Sequence, residues 1–158
     1  KTKFNPEKLQ LVRGINESLD LLKANAFQKS VKFENKIAED IYVNADSLML
    51  RSILQNIVTN AIKFTPQGGG VVKVTAEPSE SMVEVCVQDF GMGMSDETKE
   101  MVLNDVHSPS VLGTNEEKGT GLGILLVKDF VAQHGGTIKI DSELGKGTCF
   151  RFTMPRFN

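Results

Sequence analysis

Apolar residues along this chain recur in two rhythms, one of three to four positions and one of two. Lys1–Phe4 reads as a short strand. Leu9, Val12, Ile15, Leu19 and Leu22 then return at helical spacing. Asn5 is a suitable N-cap, Pro6 suits the first helical position and Glu7 the first turn, so one amphipathic helix is predicted up to about Gln28. "VKFENKI" and "IYVN" alternate and predict two short strands. Asp46 is placed to cap a second helix, "SLMLRSILQNIVTNAIKF", which Pro66 and the following glycines end. "VVKVTAEP" and "MVEVCVQD" predict paired strands around "PSES", and "SDETKEMVL" a short capped helix. Residues 104–121, "NDVHSPSVLGTNEEKGTG", are polar and too long for an ordinary connection, and read as a functional loop. "LGILLVKDFVAQH" predicts a third main helix, ended by Gly135 and Gly136. "TIKIDSE" and "TCFRFTMP" close the chain as a hairpin around "LGKG".

Helices here alternate with hairpins rather than with single parallel strands. That order predicts an α/β sandwich (α+β): a mixed, mostly antiparallel sheet of about five strands, with three main helices on one face. The 158 residues are enough for one domain with a proper core, and 40% apolar with 24% charged residues is the balance of a globular one. A net charge of −2 gives no electrostatic reason to expect nucleic acid or an anionic membrane. No apolar run approaches the roughly 20 residues that span a bilayer, and nothing reads as a signal peptide. Cys86 and Cys149 lie far apart, each in an alternating run, so each reads as a small buried thiol. The chain starts without methionine inside a polar segment, which predicts an excised, soluble, cytoplasmic domain.

Asp89-Phe90-Gly91 spells the magnesium-binding tripeptide of eukaryotic protein kinases. Those enzymes also need an HRD-type catalytic loop before it, and here both histidines, His107 and His134, come after. What remains is an acid at a strand end followed by two glycines, Asp89-x-Gly91-x-Gly93. On the second helix Asn56, Asn60 and Lys63 are four and three residues apart, within an arc of about 60°. They form a polar stripe beside Ile53, Ile57 and Ala61; a solvated helix edge is the plain alternative. "KGTGLG", Lys118 to Gly123, opens the third helix with the exposed N–H groups that suit phosphate, although its spacing differs from a dinucleotide fingerprint. "GKGT", Gly145 to Thr148, is most simply a hairpin turn.

Taken together and in order, "NIVTNAIKFTP", "DFGMGM", "GTGLG", "HGGTIKI" and "GKGT" closely resemble the catalytic, ATP-binding domain of bacterial sensor histidine kinases. That family belongs to the GHKL superfamily, with gyrase B and a class of heat-shock chaperones, and has the Bergerat ATP-binding fold. The resemblance covers nearly the whole chain from about residue 5, with residues 1–30 as the lead-in segment and 104–118 as the ATP lid. It implies ATP and Mg²⁺ as ligands, with Asn60 and Asn56 holding the metal and Lys63 contacting phosphate. Asp89 would accept from the exocyclic amine of adenine, Gly91 and Gly93 would let the backbone pass close to the base, and Thr148 would help hold it through water. Gly119, Thr120, Gly121, Leu122 and Gly123 would close over the triphosphate with Lys118 as a lid cation, and Phe64 would pack beside the base.

In gyrase-type relatives a glutamate stands where Asn56 stands here, and an amide cannot act as a general base. The resemblance therefore implies a weak ATPase that keeps ATP for another acceptor, a histidine on a separate helical dimerisation domain expected before Lys1. His134 reads as a structural helix end and His107 as an exposed loop residue. A response-regulator receiver domain would act downstream, and the isolated domain is expected to be monomeric, without nucleic-acid or direct membrane contact. Residues 101–119 contain no aromatic residue, a departure from the family's usual box. Two other assignments stay open: a nucleotide-binding regulatory pseudokinase, and a GHKL-type kinase acting on serine in a partner.

Overall fold

The computed structural model of the chain describes residues 3–104 and 122–158. Its first element departs from the sequence pattern. Pro6–Gln10 is a strand, β1, paired antiparallel with β3 (Tyr42–Asp46), Pro6 opposite Asp46 and Gln10 opposite Tyr42. Proline is tolerated at the start of an edge strand. Asn5 does not cap a helix; its backbone N–H donates to the Asp46 carboxylate at 2.8 Å. Leu9 and Val12 fit a helical stripe as well as they fit a strand-to-helix junction, and pairing with β3 decides between the two. The helix begins only at Leu11, as α1 (Leu11–Leu21), and a break at Leu22 separates it from α2 (Lys23–Gln28). Lys3 to Asn5 form no strand.

The remaining elements follow the sequence pattern closely: β2 (Val31–Asn35), α3 (Ser47–Lys63), β4 (Gly70–Pro78), β5 (Met82–Asp89), α4 (Asp96–Asn104), α5 (Leu122–Gln133), β6 (Ile138–Glu143) and β7 (Gly147–Pro155). The main sheet has five strands in the order β2-β4-β5-β7-β6, with β2 and β4 parallel and every other pair antiparallel. Asp46 caps α3 as its position predicts, its side chain accepting from Met49 N–H at 3.0 Å. Burial works to raise this carboxyl. The N–H groups of Met49, Asn5 and Leu48 hold it below the ordinary carboxylate range.

Side-chain alternation gives the sheet two different faces. Val83, Val85 and Val87 of β5 lie opposite Met154, Phe152 and Phe150 of β7, and all six are buried in one core with Val72, Val74, Leu11, Ile15, Ile53, Ile57, Val127 and Val131. The helices α1, α3 and α5 cover this face. On the other face Arg151 pairs with Asp141 at 2.7 Å and with Glu84 at 3.4 Å.

Cys86 and Cys149 share that outer face and are joined in a disulfide, which corrects the expectation of two separate thiols. Cys86 stands opposite Arg151 and Cys149 opposite Gln88, so the two are diagonal neighbours with Cα atoms 6.1 Å apart. A separation of 63 residues hides this, because only the β5–β7 pairing brings them together.

His134, just beyond α5, is structural as expected, but through hydrogen bonds rather than charge. Its Nε2 accepts from the backbone N–H of Asp46 at 3.0 Å, so the ring proton lies on Nδ1, which donates to the Phe130 carbonyl at 2.7 Å. The ring is buried and meets Phe4 edge-on.

Candidate functional site

Asp89 is the last residue of the inward-facing row 83-85-87-89 on β5, and Thr148 stands opposite it on β7, beginning the row 148-150-152-154. Strand alternation thus carries a carboxyl and a hydroxyl onto the apolar side of the sheet, where both are only 3% exposed. They line a small cavity with Asn60, Ile57, Ala61 and Phe64 of α3 and its end, and with Val87, Met94 and Phe150. Apolar walls with a few convergent polar groups are the usual composition of a small-molecule site.

Burial pushes the Asp89 carboxyl up to about 6, against the pull of the N–H groups of Gly91 and Thr148. Gly91 N–H donates to its Oδ1 at 2.9 Å. No cation pairs with Asp89 among the described residues. A buried acid held by backbone N–H groups at a cavity wall, with no counter-charge among the described residues, keeps acceptor capacity toward the cavity.

The two glycines after Asp89 are required by the protein's own backbone. A Cβ on Gly91 would stand 2.0 Å from the carbonyl oxygen of Phe64, which also accepts from Met92 N–H at 3.2 Å. A Cβ on Gly93 would stand 2.0 Å from the Glu143 carbonyl oxygen, and Gly93 has φ +71°. The "DFGMGM" turn is in this way wedged between the end of α3 and the β6–β7 hairpin. Phe90 itself is more than half exposed, at 56%.

On α3 the polar stripe is real. Asn56 and Asn60 are half-buried and Lys63 is buried. Asn56 donates its amide to the Ser52 carbonyl at 2.7 Å, which leaves Oδ1 turned to the start of α5, where a Cβ on Gly123 would lie 2.4 Å from it. Lys63 Nζ lies 5.6 Å from the Phe64 ring centroid. Leu122 begins α5. Lys118, Gly119, Thr120 and Gly121, like His107 and most of the lid at 104–118, lie outside the described residues.

Three supporting residues carry no signal in the helical or strand pattern. Lys29, after α2, is buried and donates to the carbonyls of Ile62 and Lys63 at 3.1 and 2.8 Å, closing the last turn of α3. Gly147, with φ +94°, packs so that a Cβ would be 2.2 Å from the Asp89 carbonyl oxygen. Ser142 bonds to Thr148, Gly147 and Met94. The doubled glycine of "GKGT" is the one cue the sequence holds, since a turn alone needs only one.

The sequence model of the family described as "Histidine kinase-, DNA gyrase B-, and HSP90-like ATPase" matches residues 45–158. The chain is 33% identical over 96% of its length to the sensor histidine kinase WalK of Bacillus subtilis, and 34% identical over 95% to sporulation kinase A of the same species. It spans about a quarter of each relative, 25% and 24%. Among solved structures it superposes on the catalytic domain of the histidine kinase ThkA with a TM-score of 0.82 at 27% identity, covering 98% of this chain and 97% of that one. It also superposes on full-length ShkA in complex with AMPPNP with a TM-score of 0.82 at 25% identity, covering 98% of this chain and 32% of that one. The family model over residues 45–158, together with relatives 33–34% identical over nearly the whole chain, shows that the chain belongs to the histidine kinase-, DNA gyrase B- and HSP90-like ATPase family, as an ATP-binding catalytic domain of the sensor-histidine-kinase kind.

Proposed function

We propose that this domain binds ATP with Mg²⁺ in the Asp89–Thr148–Asn60 cavity and donates the γ-phosphoryl group to a histidine on a separate helical dimerisation domain, from which a response-regulator receiver domain takes it. The observation that carries this is the buried carboxyl of Asp89, without a cation among the described residues, at the wall of an otherwise apolar cavity. Ionised, it accepts from the exocyclic amine of adenine; guanine brings a carbonyl to the same place, so ATP is preferred over GTP. Thr148 adds a hydroxyl beside it. Gly91 and Gly93 keep this turn low enough for a planar base, and Phe64 supplies apolar contact.

The residues present fit magnesium. Oδ1 of Asn56 is turned away from its own helix by the Ser52 bond, and the side chain of Asn60 lies at the cavity wall. Neutral amide oxygens suit a hard cation that takes its other ligands from phosphate and water. When bound, the ion neutralises phosphate charge and orients the γ-phosphoryl group. Lys63 contacts the phosphates as a point charge, and phosphate binding is assigned as well to Lys118, Gly119, Thr120, Gly121, Leu122 and Gly123. No carboxylate stands where a water-activating base would be, because that position is Asn56. Hydrolysis is therefore slow, and the phosphoryl group is kept for the acceptor.

The test is transfer from labelled ATP to a supplied acceptor helix domain in the presence of Mg²⁺. Base-stable, acid-labile phosphate on the acceptor is the expected product. Nucleotide binding without transfer would favour the regulatory pseudokinase, and acid-stable phosphate on a partner serine the third assignment.

A further inference from the structure

Ser142 of β6 does not line the cavity, yet its Oγ lies within hydrogen-bonding distance of three groups behind the cavity wall. The backbone N–H of Met94 is at 2.7 Å, the carbonyl oxygen of Gly147 at 2.8 Å and Thr148 Oγ1 at 2.8 Å. A serine hydroxyl has one proton and two lone pairs. The Gly147 carbonyl can only accept, so it takes the Ser142 proton. The Met94 N–H can only donate, so it takes one lone pair. The other lone pair faces Thr148, and the proton of that contact has to come from the threonine.

Ser142 is then saturated, and the single proton of Thr148 is committed backwards, away from the cavity. Toward the cavity Thr148 has only lone pairs to offer. Its cross-strand partner Asp89, once ionised, is also purely an acceptor. The polar wall therefore presents two acceptors side by side and no donor from these residues.

We infer that Ser142 is a specificity-determining positioning residue, which fixes Thr148 as an obligate acceptor and so selects a purine carrying an exocyclic amine over one carrying a carbonyl. The inference rests on the proposed adenine site. An amine has two N–H groups, enough for a carboxylate and for a hydroxyl reached directly or through water. A carbonyl in the same place sets its lone pairs against both acceptors. Were the Thr148 proton free, the hydroxyl could turn and donate to such a carbonyl, and discrimination would fall.

The experiment measures Kd for ATP and for inosine triphosphate, which has a carbonyl in place of the 6-amino group, both with Mg²⁺ and by competition against one fluorescent nucleotide. Wild-type protein is expected to prefer ATP strongly. Ser142→Ala should reduce the ATP-to-inosine-triphosphate preference about tenfold, the worth of one hydrogen bond gained by the wrong base. In a Thr148→Val background the same serine change should leave the preference where the valine put it, an outcome that loss of general packing would not give. An unchanged preference in a folded Ser142→Ala protein, or a shift that persists in the Thr148→Val background, overturns the inference.

Should Ser142→Ala not fold, Thr148→Val with the natural serine decides. Loss of affinity confined to ATP supports an acceptor hydroxyl, and equal loss for both nucleotides overturns it. Failure of wild-type protein to bind ATP would overturn the adenine site itself. ATP binding with an unmoved preference overturns only the role of Ser142.

Discussion

Asp89 and Thr148 face each other across the β5–β7 ladder at the one place where the inward-facing rows of both strands turn from apolar to polar. That pairing places an ionisable group in the core, where burial disfavours its charge.

With its carboxyl pushed up to about 6, Asp89 is ionised, and purely an acceptor, only above that value. ATP affinity should hold from pH 8 to about 7 and then fall, approaching tenfold per unit below 6. Calorimetric titration at several pH values checks this.

Folding stability should respond in the opposite sense. The folded pKa of Asp89 is raised to about 6 from 3.8, so between these values the folded state holds the proton more tightly than the unfolded one. Its contribution favours folding below 3.8, is lost as pH rises through 6, and amounts to roughly 3 kcal/mol. Asp89→Asn should therefore raise the apo melting temperature at pH 7.5, with the gain shrinking toward pH 4, as thermal melts at both values would show.

Gly91→Ala should cost about 2–3 kcal/mol and weaken nucleotide binding together, because its Cβ would lie 2.0 Å from the Phe64 carbonyl oxygen and either the turn or the end of α3 must shift. Denaturant unfolding measures the first effect and titration the second. Full stability with normal binding would contradict the wedge.

Lys29→Met should strip the carbonyls of Ile62 and Lys63 of a buried charged donor and destabilise the domain by about 2 kcal/mol. Since Asn60 and Lys63 lie in the turn so closed, phosphate affinity should fall with stability. Melts in the presence and absence of ATP separate the two.

His134→Ala should leave the buried N–H of Asp46 without its partner and cost about 1–3 kcal/mol, with ATP affinity unchanged. Incubation of the wild-type chain with labelled ATP should place no acid-labile label on this buried ring.

Much of the fold is legible in the sequence, and the reasons are local. Asp46 as a cap, the polar stripe on α3 and the hairpins around "PSES" and "LGKG" all rest on residues within a few positions of each other. Residues 6–10 read as helix because Leu9 and Val12 satisfy a helical stripe, while the partner that makes them a strand lies at residues 42–46. The disulfide, the Lys29 cap and the Met94–Ser142 bond are equally non-local. Each joins residues brought together only by strand pairing or helix packing, and no spacing along the chain announces it.

Adenine reading by Asp89 is the proposal on which the site's other roles depend. Its most direct test is calorimetric titration of the domain with ATP and Mg²⁺ at pH 7.5, beside GTP and beside Asp89→Asn. Saturable ATP binding, absent with GTP and reduced at least a hundredfold in a variant that melts no lower than wild type, is the predicted result. Equal binding of ATP and GTP, or an Asp89→Asn protein that binds ATP as wild type does, would contradict it.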